Sequence, residues 1–305
     1  MPDATRLPST PAIPATERDL FLESFLHRWE GNSRISYRAD VNMFLRWLDA
    51  NDLDMFAIKR VHVEMYARYL RDERGNSSSS VVRRIGTLRQ MYDIAIDDDL
   101  TIKNPVKYAK IPRKQIDLTK KVSLSREEFQ RLMHTAYQSS PSEYAMCAVM
   151  GYLGLRVSEA CQLDVSSVLG VSKGHRVITF VGKNNVVAMI PQPPVVLRAL
   201  DAVIAERKEG ALFVRRDGSR MTRASALKVV LRLGRKAGIE MRCTPHTLRH
   251  TMIVNAIDAG VPLRQVQLAA RHTDIGTTIK LYDRGRADLD SHAAHSLAAY
   301  MGSVA

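Results

Sequence analysis

The chain has 305 residues, 45% of them hydrophobic, which is enough for one large or two ordinary domains with proper cores. It carries 45 Lys+Arg against 32 Asp+Glu, a net charge of +13, and such a balance favours a polyanionic partner. No apolar run approaches the ~18–20 residues of a membrane-spanning helix; the start lacks a charged-then-apolar export pattern; and three cysteines without a CxxC pair suggest neither a disulfide framework nor a zinc site.

A reducing cytoplasm is the expected compartment. The charge is unevenly spread. Residues 16–112 hold 16 basic against 15 acidic residues, whereas residues 113–305 hold 28 against 16. On charge alone, a nucleic-acid partner and an ordinary basic surface remain equally good readings.

Residues 1–15 contain four prolines and little apolar periodicity, so an extended or disordered tail is expected. From Thr16, a plausible N-cap with Asp19 at N3, the pattern turns helical through Leu20, Phe21, Phe25 and Leu26. Ser33 can cap a second helix with the stripe Ile35, Tyr37, Val41, Phe44, Leu45 and Leu48. A third helix is predicted over 61–74, and the serines at 77–80 are read as a turn and cap to a fourth. The aromatic residues Phe44, Trp47, Tyr66, Tyr69 and Tyr92 read as core rather than base-stacking surface. Arg83, Arg84 and Arg89 project from the fourth helix as a solvated face or as phosphate contacts.

Pro105 and Pro112 stop helices, and seven Lys/Arg lie between Lys103 and Lys121 against Asp117 alone. Such a stretch suits a basic linker on a phosphate backbone, with Lys110, Arg113, Lys114, Lys120 and Lys121 as candidate contacts. The domain boundary is placed at 113–121. Ser125 and Glu128 match a capping box, and helices are expected at 125–138 and 142–152. Strand-like segments follow at 164–168, 176–181 and 186–190, the last two joined by the turn signal Gly-Lys-Asn-Asn. Helices resume at 194–208 and 222–237; Pro245 opens another, Gly260 ends it, and Pro262 starts the next. A short helix near 275–282 and an amphipathic segment at 288–301 complete the chain.

The residues that could carry chemistry fall in four boxes. GYLGLRVSEACQLDVSSV holds Arg156 and Glu159, three apart on one face of a short helix. VGKNNVVAMIP holds Lys183 in a hairpin. TPHTLRH holds His246, Arg249 and His250. Ala270-Arg271-His272 follows, and then Tyr282. Two imidazoles, a guanidinium and a phenol on three short helices could converge on one phosphate. Singly, each residue has a bland reading as an ion pair, a turn or a core phenol. His246 and His250 also have the spacing of a helical zinc pair. However, the Glu of a protease site is missing and Arg249 one turn on would repel a cation, so no metal site is expected. His250 is read as buried or hydrogen-bonding, and His292 and His295 as ordinary.

In this order the boxes resemble the signature of the tyrosine recombinases (the phage integrase family). The pattern S-x-x-x-Y-x-x-D-V-x-x-F-L-x-W-L from Ser33 resembles the start of that family's core-binding domain. The resemblance implies a mainly α fold with a small antiparallel β-sheet. A helical, SAM-like DNA-binding domain would occupy 16–112, a mixed α/β catalytic domain 122–286, and a C-terminal helix for subunit contact 287–305. With no room seen for a separate arm-binding domain, a two-domain member is expected.

The resemblance also implies the roles. Arg156 and Arg249 would meet the charge that builds on a pentavalent phosphorus, because a guanidinium binds two oxygens and keeps its proton. Lys183 would protonate the leaving 5′-oxygen. Tyr282 would attack and form a 3′-phosphotyrosyl link, conserving the bond energy without ATP, metal or another cofactor. His246 and His272 would handle protons and hold phosphate oxygens, and Glu159 would buttress the arginine helix or a histidine.

The implied activity is site-specific recombination or integration for a phage or other mobile element. It would act on double-stranded DNA with inverted-repeat core sites, through a Holliday junction, as a homotetramer, with scope for an accessory directionality factor. The alternatives are a type IB-like topoisomerase and a silent DNA-binding regulator. Two departures stand out. The second histidine box is commonly Leu-Gly-His, but here is Ala270-Arg271-His272, and the stretch to Tyr282 is one residue longer than the commonest spacing. Tyr282 is the sole tyrosine between Tyr152 and Tyr300, so Tyr300 is the alternative nucleophile.

Overall fold

The computed structural model describes residues 16–111, 121–182 and 187–282, together with residues 294, 297, 298, 301 and 302. The described residues form two compact units, one up to 111 and one from 121 onward. The fold is mainly α with a small antiparallel sheet.

The first unit packs four helices: α1 (Glu17–His27), α2 (Gly31–Ala50), α3 (Arg60–Asp72) and α4 (Ser78–Asp97). Thr16 and Asp19 exchange capping-box hydrogen bonds at 3.2 and 3.3 Å, which satisfies two helix-end donors. The face buried by α1 is Phe21, Leu22, Phe25 and Leu26, whereas Leu20 is exposed. The second helix starts two residues before Ser33, because Gly31 takes a φ of +53° and lets the chain reverse at Glu30. Ile35 lies outside the stripe at 68% exposure. Tyr37 takes the contact instead, stacked on Phe25 at 6.1 Å and edge-on to Trp29 at 4.7 Å.

Phe44, Trp47, Tyr66 and Tyr92 are buried, and Tyr69 packs half-buried on Tyr66, so this aromatic group is core. Tyr92 donates its hydroxyl to the Met55 carbonyl at 2.8 Å. One carboxylate lies inside this unit. Asp40, 1% exposed, accepts from both Nη atoms of Arg83, from Arg84 at 2.8 Å and from Thr87 at 2.9 Å, and so clamps α2 to α4.

The second unit opens with α5 (Arg126–Tyr137), closed by the Ser125–Glu128 capping box, and α6 (Pro141–Gly151), whose second half is wholly buried. α7 (Val157–Gln162) follows. The strand expected over 164–168 does not form: Ser166–Val168 is a single 3₁₀ turn, and Asp164 makes only an isolated bridge to Ala211. The serine side chain competes for the backbone, Ser167 Oγ accepting the Asp164 N–H at 3.1 Å.

A three-stranded antiparallel sheet comes next, in the order β1 (Val171–Ser172), β2 (His175–Val181), β3 (Val187–Pro191). Its register sets Thr179 opposite Met189 and Val181 opposite Val187, and Ile178 and Phe180 point into the core. α8 (Pro194–Ile204) stops four residues short of expectation, where Ala205 turns to a φ of +48°. There Arg207 folds back and caps the carbonyls of Val203, Ala211 and Leu212 at 2.9–3.0 Å. α9 (Arg223–Lys236), α10 (Pro245–Asp258), α11 (Leu263–Ala270) and α12 (Ile275–Tyr282) complete the unit. The last three share a small core of Met252, Ile253, Val266, Ala270 and Leu281.

Candidate active site

The site is built on the turn after α6. Gly154 has a φ of +62°, and a Cβ there would stand 2.1 Å from the Met252 methyl, so any other residue would be strained and would push Met252 aside. Its carbonyl accepts from Arg249 Nη1 and from Arg271 Nη2, the latter at 3.1 Å. Arg156 then caps α7. It has no oxygen to offer the helix end, so Glu159 reaches back to it. The carboxylate accepts the Arg156 backbone N–H at 2.8 Å and Arg156 Nη1 at 2.7 Å. The Arg156 side chain stays 36% exposed while Glu159 is buried.

Pro245 at the first helical position and Thr244 as N-cap start α10. Arg249, one turn in, is 3% exposed. Its two Nη atoms donate to the carbonyls of Gly154 and Ala270, which joins the arginine turn to the end of α11. Burial first, and then the charges of Arg156 and Arg271, push the Arg249 guanidinium below its ordinary pKa, with Glu159 opposing them. Burial by itself would raise Glu159. The Arg156 N–H, the Arg271 charge and the Arg156 guanidinium outweigh that and hold the carboxyl below its ordinary value.

His246 lies exposed on the first turn of α10, its ring centroid 3.9 Å from that of the half-buried His250. Desolvation, Arg249 and Arg156 lower its pKa. His272 follows α11, its Nδ1 2.9 Å from Oγ1 of the fully buried Thr278, and its carbonyl accepts from Gln267 at 3.0 Å. Burial, followed by Arg249, Arg156, Arg271 and His246, pushes it down to about 4. Both imidazoles therefore feel the same guanidinium group. Each is poised to accept a proton or to donate one N–H in its neutral form.

The structure thus brings together Arg156, Glu159, His246, Arg249 and His272. Tyr282 ends α12, half-buried, beside Leu281 of the core shared with α10 and α11. Lys183 lies outside the described residues. Among the described residues, no group of three His, Cys, Asp or Glu is placed to hold a metal ion, His246 and His250 included.

Among the candidate DNA contacts, Arg83 is half-exposed although tied to Asp40, and Arg89 and Lys110 are exposed. The Arg84 side chain is 17% exposed and turned inward by Asp40. Lys121 pairs with Glu128 at 2.7 Å. Arg113, Lys114 and Lys120 lie outside the described residues, as do Leu289, His292 and Tyr300 of the tail; Leu297 is exposed.

One residue of the cluster was not among the sequence candidates. Arg271 donates to Glu159 at 2.8 Å, and its guanidinium carbon lies 5.2 Å from the Phe180 ring centroid on β2. The only sequence signal was its departure from Leu-Gly-His.

Residues 123–287 match the phage integrase family, and residues 20–99 match the phage integrase N-terminal SAM-like domain. The chain is 30% identical over 263 residues to the tyrosine recombinase XerD of Oceanobacillus iheyensis, covering 81% of this chain and 86% of that one. It is 29% identical over 269 residues to a tyrosine recombinase of Pseudothermotoga lettingae, covering 85% and 90%. Its fold is similar to that of the Tn1549 transposon integrase solved with transposon right end DNA, at a TM-score of 0.72 and 20% identity over 93% of this chain and 98% of that one. A lambda integrase dimer bound to a core site gives a TM-score of 0.69 at 16% identity, over 87% and 78%.

Proposed function

Because the chain belongs to the phage integrase family of tyrosine recombinases, we propose that it is a site-specific DNA recombinase that cleaves and rejoins strands through a 3′-phosphotyrosyl intermediate and a Holliday junction. The observation that supports this reading is the convergence of two imidazoles on the guanidiniums of Arg156 and Arg249.

A phosphodiester under attack gathers negative charge on its equatorial oxygens. Fixed guanidinium donors in a part-buried site stabilise that charge without reorganising, which is the largest lever available to such an enzyme. Arg156 keeps part of its donor fork exposed for an oxygen, and Arg249 stiffens the floor beneath it. His246 and His272, held neutral, donate to oxygens or take the phenol proton. Tyr282 is the nucleophile, and Lys183 is the general acid for the departing 5′-hydroxyl. The new ester conserves the energy of the bond it replaces, so religation needs neither ATP nor a metal.

The DNA partner is a duplex with inverted core sites. Arg89, Lys110 and the basic stretch at 113–121 supply backbone contacts, and Arg83 a partial one. Four copies act together, with residues 287–305 of one copy docking on the next to couple their active sites. An accessory factor sets direction. Work in the cytoplasm on nucleoid DNA fits a chain in which no described helix is long and apolar enough to cross a membrane.

Covalent capture tests the reading. Wild type and Tyr282→Phe are expressed beside the DNA that flanks the gene, lysed in denaturant, and the attached DNA is sequenced. Attachment at one recurrent sequence in wild type alone is the expected result. Scattered attachment would favour a topoisomerase, and attachment persisting in Tyr282→Phe would move the nucleophile to Tyr300.

A further inference from the structure

Arg271 occupies a backbone position that ordinarily suits glycine. The Arg271 N–H donates to the Leu268 carbonyl at 3.0 Å and the His272 N–H to the Gln267 carbonyl at 3.1 Å. This crossed pair closes α11 in the pattern that wants a left-handed residue next. Arg271 takes that conformation, with φ 54° and ψ 45°. A non-glycine residue there is strained by its own Cβ. The strain is offset by what the side chain reaches from this place: Glu159 at 2.8 Å, the Gly154 carbonyl at 3.1 Å, and the ring of Phe180 near the end of β2. Few other backbone directions would send a side chain from the end of α11 into the arginine turn.

We propose that Arg271 is a positioning residue of the cleavage site: it holds Glu159 by the oxygen that the Arg156 guanidinium does not take, and so fixes the direction in which Arg156 presents its guanidinium to the scissile phosphate. Glu159 has two oxygens. Oε1 takes Arg156 Nη1, while Oε2 takes the Arg156 backbone N–H and Arg271 Nη2. Without Arg271 the carboxylate keeps both Arg156 bonds but loses its anchor to α11, and it is free to swing with the arginine it orients. A displacement on the order of 1 Å at a reacting centre can slow a reaction ~100-fold. The inference rests on the proposed cleavage reaction.

Its test uses the full chain and a nicked duplex carrying the sequence captured by wild type. Three quantities are compared for wild type, Arg271→Gly and Glu159→Gln, and for the double variant: the single-turnover rate of covalent adduct at saturating DNA, the DNA dissociation constant, and the melting temperature. Glycine suits the left-handed position but leaves the buried Glu159 one ion pair short, so Arg271→Gly should melt lower than wild type yet stay folded at the assay temperature. Its DNA affinity should stay within about twofold, because most phosphate contacts lie elsewhere. Its adduct rate should fall about ten- to a hundredfold. In the Glu159→Gln background the same change should cost less than about twofold, because both act on Arg156 through one carboxylate. If Arg271→Gly is unfolded at the assay temperature, Arg271→Lys keeps a charge beside Glu159 without the planar fork and makes a milder form of the same comparison.

An Arg271→Gly adduct rate equal to wild type would overturn the proposal. So would a loss that is undiminished when Glu159 is already Gln. If wild type itself formed no adduct, the cleavage reading and this inference would fall together; if wild type reacts and Arg271→Gly matches it, this inference alone falls.

Discussion

Each unit buries one carboxylate between two guanidiniums, and the two clusters put the same ion types to different ends. Asp40 receives four donors that saturate both its oxygens, two of them from Arg83. Its clamp is a tertiary joint between α2 and α4. Glu159 receives three, one of them a backbone N–H, and among the described residues it engages only Nη1 of the Arg156 guanidinium. The remainder of that fork faces outward at 36% exposure. The difference teaches how to tell a structural ion cluster from a working one. Composition does not separate them, since both are one acid with two arginines. The neighbours do, since two imidazoles feel the guanidiniums gathered at Glu159.

The comparison can be broken at several points. The largest effect is expected in the structural cluster. Asp40→Ala strips a buried countercharge from Arg83 and Arg84, and breaking such a pair costs about 3–5 kcal/mol. Urea denaturation of the full chain would measure it. A loss below about 1 kcal/mol would mean that both arginines simply turn to water. Next comes the working cluster, where Arg156→Ala should slow adduct formation on the captured site about 10²–10³-fold. Its melting temperature should change little, because the side chain is part-exposed. A large drop in melting temperature would make Arg156 a second Asp40-type joint.

A smaller effect separates the clusters by pH. His272 sits near 4 in the folded protein against an ordinary 6.5, because burial and the charges of Arg249, Arg156, Arg271 and His246 disfavour its protonated form. Between those values the unfolded chain binds the proton and the folded chain does not. Stability is therefore full above about 6.5 and is lost as pH falls toward about 4. Melting curves from pH 7 down to pH 5 should fall in wild type, and His272→Gln should flatten part of that slope. An unchanged slope would place the acid sensitivity elsewhere. The smallest change concerns the exposed arginine of α4. Arg89→Ala should weaken DNA binding modestly and reduce the slope of log affinity against log salt by about 0.9. The same substitution at the inward-turned Arg84 should leave that slope alone.

Much of the fold was legible because its signals are local. The capping boxes at Thr16–Asp19 and Ser125–Glu128, and Pro245 at the first turn of α10, need only a few residues of sequence, and the helices begin where these signals put them. The readings that failed involve residues whose local signal fits two outcomes. The stretch 164–168 is short and part apolar, as a strand or a tight turn can be, and the hydrogen bond from Asp164 to Ser167 decided for the turn. Ile35 and Tyr37 both suit the start of a helical stripe, and the neighbouring rings of Phe25 and Trp29 selected Tyr37.

By itself the sequence determined the helical periods, most of the helix ends, the hairpin, and the presence of Arg156, Glu159, His246, Arg249, His272 and Tyr282 in an order suited to phosphate chemistry. Periodicity, capping and composition act over a few residues, and they can be read there. Only the tertiary structure decided which guanidinium meets which carboxylate. Arg271 and Glu159 are 112 residues apart in sequence, yet 2.8 Å apart in space. That contact depends on a left-handed turn at the end of α11, a glycine that lets the turn after α6 approach Met252, and the packing of α6 and α11 against α10. Long-range pairs of this kind follow from how the elements close on one another, and no window along the chain contains both partners.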